Sequence, residues 1–133
     1  MSSQLALKAG VAADLPINFI DIDPYGECWP VIEAYFSGER KRPKRLAIAV
    51  NDGLRQKLNV GAGWQVATMK AALEVFSNAG LYARYLEVCR WNLDRLIAPH
   101  GYKVIEWAGY YCGFNHLMTH FGAVLENTKV AAD

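Results

Sequence analysis

The sequence predicts a single α/β domain, with a mainly parallel sheet, an antiparallel hairpin at its C-terminal end and flanking helices. Apolar runs typical of buried strands occur at 18–22 and 46–50, and segments with apolar residues at helical spacing follow them. Near the C-terminus, two β-rich runs are separated by a short segment that contains turn residues, as in a hairpin. The length of 133 residues is that of one domain.

The first strand, 18–22, ends in Asp23-Pro24-Tyr25-Gly26. Because proline restricts the residue before it to extended conformations, the Asp23 carboxylate is expected to project beyond the strand end. Gly26 permits a turn that leaves the Tyr25 ring free. A carboxylate, the Pro24 carbonyl and a ring together predict a receptor for a planar group that carries an amine. The tetrapeptide is also typical of a type I β-turn without a ligand, so both interpretations stay open.

The second strand, 46–50, is a continuous apolar run, and such runs are expected to be buried on both faces of a parallel sheet. Asn51, Asp52 and Gly53 follow it directly. If the two strands are neighbours, their polar loops meet in one crevice, which is where open α/β sheets bind ligands. A cap on the turn at Gly53 would explain Asn51 and Asp52 equally well.

The rest of the chain reads as helices followed by the hairpin. Apolar spacing predicts helices over 29–36, 66–76 and 81–96, and Asn78-Ala79-Gly80 is expected to end the second. The hairpin strands are predicted at 102–111 and 117–125.

Two loops suggest ligands less directly. Five basic residues at 40–45 form either a solvated connection or a phosphate-contacting patch. Gly61 and Gly63 echo a cofactor-binding glycine loop, but the preceding segment 54–58 is polar and a poor buried strand. We therefore predict a surface loop from residue 55 to residue 64.

Composition excludes several classes of function. The net charge of +1 provides no global attraction for nucleic acid, and no apolar run reaches the length of a membrane span. The three cysteines lack metal-ligand spacing, so we predict reduced thiols in a cytoplasmic protein and no metal site. Hydrolase elbows, phosphate-binding glycine loops and Cys-x-x-Cys pairs are absent from the sequence.

The segment 19–26, Phe-Ile-Asp-Ile-Asp-Pro-Tyr-Gly, resembles the fourth motif of class I S-adenosylmethionine-dependent methyltransferases. It is still more similar to the Asp-Pro-Phe-Gly of the tRNA guanine-N2 dimethyltransferase family. The resemblance continues in element order to Val124, over the second half of a catalytic domain. It implies a partial Rossmann-like methyltransferase sheet and S-adenosylmethionine as the cofactor. The family's N-terminal half, with its cofactor glycine loop, has no counterpart in 1–133, so we expect a truncated domain.

The resemblance also implies roles for particular residues. Asp23 and the Pro24 carbonyl would hold the exocyclic amine and Tyr25 the face of the target base, which makes these three the catalytic set. The residues implied to contact the substrate are Gly26, Asn51, Asp52 and Tyr111. Asp21 is implied to bind the cofactor.

Two functions follow from this reading. The first is an N-methyltransferase, or a fragment of one, for an exocyclic amine of a nucleobase, in RNA rather than DNA because single strands expose their bases at lower cost. An uncovered sheet edge predicts a homo-oligomer or a partner subunit that supplies the missing half. The second is a non-catalytic, oligomeric α/β binding or structural module. Whether the chain is an enzyme stays open at this stage.

Overall fold

The computed structural model of the protein describes residues 2–24, 26–59 and 69–130. Its helices are α1 Ser3–Lys8, α2 Trp29–Ser37, α3 Leu54–Asn59, α4 Lys70–Ala83 and α5 Tyr85–Ile97. Its strands are β1 Phe19–Ile22, β2 Arg45–Asp52, β3 Tyr102–Cys112 and β4 Met118–Asn127. Short 3-10 turns lie at Ala98–His100 and Phe114–His116.

The four strands form one mixed sheet in the order β1-β2-β4-β3. β1 pairs with β2 in parallel, which confirms that the two strands with polar ends are neighbours. β4 pairs antiparallel with both β2 and β3, so the predicted hairpin is confirmed. Only one of the three ladders is therefore parallel, although β1, β2 and β3 run in the same direction. The turn between β3 and β4 is short, so it can only join antiparallel neighbours. Because β4 lies between β2 and β3, both of its ladders are antiparallel.

One face of the sheet is packed against helices. Burial alternates strictly along β2 and β4, and the buried set belongs to one core with residues of α2 and α5. Phe121 lies at the centre of this face, with its ring centroid 6.0 Å from Trp29 of α2 and 4.9 Å from Trp107 of β3. Stacked aromatic rings contribute large apolar areas, so this helix face is the main hydrophobic core.

The opposite face of the sheet is open. Phe19 and Tyr110 on this face are 57% and 59% exposed, and Ala47 and Ala49 are half-buried. The expectation that β2 is buried on both faces was therefore wrong, because α2 and α5 both contribute to the core on the other side. The alternation of large and small side chains along β2 is typical of a strand with one covered face.

The prediction of a loop over 55–64 was wrong at its start, because α3 occupies residues 54–59. Leu54 and Leu58 are buried. The buried Arg55 guanidinium lies 4.1 Å from the Tyr82 ring and 3.8 Å from the Tyr111 ring, and it donates to the His116 carbonyl at 2.6 Å. Tertiary contacts thus stabilise a helix that is too short to be stable alone. Gly61, Gly63 and the start of the 66–76 helix lie outside the described residues.

The helix predicted to end at Asn78-Ala79-Gly80 is interrupted one residue earlier, at Ser77, which has the non-helical angles φ 65° and ψ 169°. A second helical segment follows the interruption and runs to Ala83. The turn-forming composition of 77–80 therefore produces a kink, and the end of the helix falls at Arg84.

The basic cluster at 40–45 holds the connection between α2 and β2 in place. Arg42 donates to the carbonyls of Phe36 and Gly38 at 2.9 and 2.8 Å, which satisfies the C-terminal end of α2. Lys44 donates to the Asn127 carbonyl at 2.8 Å. Arg42 and Lys44 therefore make hydrogen bonds within the fold, as expected of a segment that connects a helix to a strand. Within the described ranges, no helix is long and apolar enough to cross a membrane.

Candidate active site

The carboxyl ends of β1 and β2 lie side by side and carry a pair of polar side chains. Asn51 donates through Nδ2 to Asp23 Oδ1 at 2.9 Å. Asp23 is exposed, whereas Asn51 Oδ1 is buried without a hydrogen-bond partner among the described residues. A buried acceptor without a partner is costly, so a small rotation of the Asn51 amide towards a ligand N–H would be favourable.

The two loops beyond these strands touch each other through glycines. Gly53 donates its backbone N–H to the Gly26 carbonyl at 2.9 Å, and a Cβ at Gly53 would lie only 3.2 Å from that oxygen. Gly26 has φ +100°, which L side chains rarely adopt. A cavity of about 650 Å³ lies beside this glycine contact, and we call it the strand-end pocket. Its lining includes Asp23, Pro24, Gly26, Asn51, Gly53, Lys57 and Met118.

Asp52 points the other way, into the helix face, and has no exposed surface. Its Oδ1 accepts the Cys28 N–H at 2.7 Å, and its Oδ2 accepts the Tyr85 hydroxyl and the Leu54 N–H. Tyr85 in turn accepts the Trp29 indole N–H at 3.0 Å. Asp52 therefore joins the loop after β1, the start of α3 and the start of α5, and it does not line the strand-end pocket.

Burial also sets the protonation of this network. Desolvation raises the pKa of Asp52, although the hydrogen bonds from Tyr85 and Cys28 act in the opposite direction. Burial likewise holds the pKa of the Tyr85 phenol and of the Cys28 and Cys89 thiols well above their ordinary values. The two thiols stay protonated, which makes them core side chains rather than nucleophiles.

A second cavity, of about 510 Å³, opens at the free edge of β1. We call it the edge pocket. Apolar residues of α1, the following segment and β1 form most of its walls, while Asp21, Asp23 and Arg40 supply the charges. Arg40 donates through Nη2 to the Leu7 carbonyl at 3.1 Å, but its buried Nε has no partner among the described residues. The edge pocket thus holds both carboxylates and an unused guanidinium donor.

The remaining predicted site residues lie in different places. Asp21 faces the open side of the sheet and lines the edge pocket. Tyr111 lies on the helix face, where its ring packs on Arg55 and its hydroxyl accepts the Leu86 N–H at 2.9 Å. Tyr111 does not line the strand-end pocket, and Tyr25 lies outside the described residues.

Several residues that border the crevice were not predicted. Lys57 of α3 and Met118 line the strand-end pocket, while His120 pairs with Asn51 in the sheet register and Tyr110 pairs with His120. The insertion of β4 between β2 and β3 brings Met118, His120 and Tyr110 there, and no local pattern signals it. In the part of the chain that the structure describes, no three His, Cys, Asp or Glu side chains could together hold a metal ion.

The mixed four-stranded sheet, with helices on one face and a crevice at the carboxyl ends of β1 and β2, defines an α/β fold. The chain is similar in structure to Trm1 from Pyrococcus horikoshii, solved in complex with S-adenosyl-L-methionine. The TM-score is 0.55 at 13% sequence identity, over 92% of this chain and 31% of that one. This likeness shows the fold, and the chain spans about a third of the length of that protein. No protein-family model matches the chain, and no curated protein matches it in sequence.

Proposed function

We propose that this chain is an S-adenosylmethionine-dependent N-methyltransferase, or the acceptor-binding part of one, that acts on an exocyclic amine of a nucleobase in RNA. One observation carries the proposal: Asp23 and Pro24 line both the strand-end pocket and the edge pocket. A methyl donor in one pocket and a planar amine in the other would meet at this loop. The structural likeness to a protein in complex with S-adenosylmethionine supports the choice of cofactor.

The edge pocket suits that cofactor. Its volume of about 510 Å³ is within the usual range for small-molecule sites, and its apolar walls suit an adenine ring. Asp21 can accept hydrogen bonds from hydroxyl or amino groups, and the Arg40 guanidinium in the pocket wall supplies a positive charge for a carboxylate. When bound, the cofactor supplies a methyl group on a sulfonium, which carries its own leaving group.

The loop after β1 suits the acceptor amine. The Asp23 carboxylate and the Pro24 carbonyl can each accept one amine hydrogen, which would aim the nitrogen lone pair at the methyl carbon. Asn51 holds the Asp23 carboxylate in place through the 2.9 Å hydrogen bond. Asp23 can also take the proton that the nitrogen must release after transfer. Lys57, on the far wall of the strand-end pocket, could contact a phosphate of the same strand.

The test is transfer of a radioactive methyl group from S-adenosylmethionine to unmodified tRNA by the purified chain. We expect Asp23→Asn to lower the transfer rate by about a hundredfold or more, the loss typical of a positioned proton acceptor. Asp14→Asn is the matched control, because Asp14 is an exposed carboxylate outside the two pockets. Label transfer that survives Asp23→Asn would contradict the assignment of the acceptor site.

Calorimetry separates the enzyme from the alternative function. Binding of S-adenosylmethionine without turnover on any RNA would favour the non-catalytic module. Absence of heat at millimolar cofactor would instead favour a partner that completes the site. We also propose self-association or a partner subunit at the free edge of β1, because β2 is its only neighbour in the described sheet. Light scattering of the purified chain would show a monomer if this is wrong.

A further inference from the structure

The open face of the sheet carries side chains in rows that cross the strands. Asp21, Ala49, Gly122 and Ala108 are in register across β1, β2, β4 and β3. Beside this row, Asn51, His120 and Tyr110 are also in register, and Asp23 is hydrogen bonded to Asn51. The two rows line a cavity of about 440 Å³, which we call the trough.

The floor of the trough is flat and apolar. Ala49, Gly122 and Ala108 carry nothing larger than a methyl group, whereas Phe19 and Tyr110 stand on the same face in the rows to either side. Three adjacent strands span about 10 Å, which is enough for a fused two-ring heterocycle to lie across them. A ring stacked on this floor would cover apolar surface that is now exposed to water.

One wall of the trough is polar. Tyr110 OH and His120 Nδ1 are hydrogen bonded at 3.0 Å, and the Asn51–Asp23 pair continues the wall towards β1. Asn51 lines the trough, and its buried Oδ1 is the acceptor without a partner. A ligand N–H would reach this oxygen after a small rotation of the Asn51 amide, whereas the exposed Asp23 carboxylate accepts such a donor directly, so the wall selects for hydrogen-bond donors.

The charges of the trough limit the ligand further. Its lining includes the carboxylates of Asp21 and Asp23 but no lysine or arginine. A phosphate would be repelled here, whereas an uncharged exocyclic amine can donate hydrogen bonds to the carboxylates. The part of a ligand that enters the trough is therefore a planar ring without negative charge that carries a hydrogen-bond donor such as an amine.

We propose that the trough is a second nucleobase site, which binds an amine-bearing base next to the base in the strand-end pocket. Asp23 and Asn51 line both cavities, so two consecutive bases of one strand could lie on either side of this pair. The choice of a nucleobase rests on the function proposed above. The floor and wall of the trough are independent of methyl transfer, so base binding here does not require the chain to be active.

Methyl resonances can report the two cavities separately. In a chain with labelled alanine and methionine methyl groups, Ala49 and Ala108 report the trough and Met118 reports the strand-end pocket. We expect titration with adenosine to shift the Ala49 and Ala108 signals. Purine riboside, which lacks only the exocyclic amine, should bind about fivefold more weakly because one hydrogen bond is lost.

Two matched variants test the position of the ring. Ala49→Leu fills the trough and should weaken adenosine binding, read at Ala108, by about tenfold or more. Ala47→Leu adds the same group two residues away on the same face of β2, outside the trough, and should change binding by less than about twofold. Equal effects of the two variants would overturn the proposal.

The alternative outcomes are distinguishable. If adenosine moves Met118 but neither alanine, the trough is not a base site, while the acceptor site proposed above stands. If the alanine signals move and Met118 does not, the trough binds bases and the role of the strand-end pocket is in doubt. If the alanine signals change with protein concentration alone, a second copy covers this face and the proposal is wrong.

Discussion

Asp23 and Asp52 are two carboxylates at the ends of neighbouring parallel strands, and each precedes a residue typical of turns. Asp23 is exposed, borders three cavities and is held by one side chain, Asn51. Asp52 has no exposed surface and accepts hydrogen bonds from the 28, 54 and 85 positions. The same residue type in similar local sequence thus borders open cavities in one strand and belongs to the core in the other.

The difference follows from which face of the sheet each side chain joins. Side chains alternate along β2, so Asp52 lies on the helix face with Ile48 and Val50, and Asn51 lies on the open face. The helix face is closed by α2 and α5, whereas the open face and the strand ends remain accessible. A carboxylate at a strand end is therefore not evidence of a ligand site until its face is known.

The largest expected effect is on stability. Asp52→Ala would leave the Cys28 N–H and the Tyr85 hydroxyl buried without an acceptor, and we expect it to lower the free energy of unfolding by about 3 kcal/mol or more. Asp23→Ala, at an exposed position, should change it by less than about 0.5 kcal/mol. Urea denaturation followed by circular dichroism measures both. Similar losses for the two variants would remove the contrast between these carboxylates.

Tyr85→Phe should have a smaller effect on the same network. It removes the donor to Asp52 Oδ2 and the acceptor for the Trp29 indole, while the ring still packs. We expect a loss of about 2 kcal/mol in the free energy of unfolding. Tyr110→Phe is the control, because Tyr110 is 59% exposed and its hydroxyl is hydrogen bonded to His120 Nδ1 at 3.0 Å, outside the buried network. A loss for Tyr110→Phe as large as that for Tyr85→Phe would count against a special role for the buried network.

Asn51→Ala tests the proposed role of Asp23, because Asn51 holds the Asp23 carboxylate through a hydrogen bond. Without the amide the Asp23 side chain is free to rotate, so we expect methyl transfer to fall by about tenfold, mainly in kcat. Stability should change by less than about 1 kcal/mol. Steady-state kinetics with tRNA as the acceptor separates kcat from KM. A purely structural role for Asn51 would instead lower stability and leave the kcat of the folded fraction unchanged.

The smallest expected effect is a change of stability with pH. A carboxyl group whose pKa is raised by folding binds more protons in the folded state than in the unfolded state. Its contribution to stability is therefore lost as the pH rises from the ordinary pKa towards the raised pKa. For Asp52 this window begins near 3.8 and extends upward. Asp52→Asn should remove a downward slope of at most about 1.4 kcal/mol per pH unit. Denaturation curves of the original protein and of the Asp52→Asn variant at several pH values give the difference in slope. Equal slopes would contradict the raised pKa of Asp52.

Much of the architecture follows from local patterns. The apolar runs that end in Asp23 and in Asn51-Asp52 predict two strands with polar ends, and the structure pairs β1 and β2 in parallel, so that these ends lie side by side. The hairpin of β3 and β4 follows from two β-rich runs with turn residues between them. Such patterns succeed because alternation and turn chemistry act over a few residues, without reference to distant parts of the chain.

Contacts between distant segments account for the errors. Nothing in the polar sequence of α3 announces a helix, because its stability comes from Arg55 packed between Tyr82 and Tyr111. The local stop signal at 78–80 did mark a break, at Ser77, although a second helical segment runs on to Ala83.

From the amino-acid order alone, one can infer most of the strands and helices, the two polar strand ends and the candidate loop at Asp23-Pro24. The order cannot reveal that Asp52 turns inward to meet Cys28 and Tyr85, or that His120 and Tyr110 join Asn51 on the open face. The reason is physical: local preferences act along the chain, whereas burial and cross-strand register depend on which segments meet once the sheet has formed.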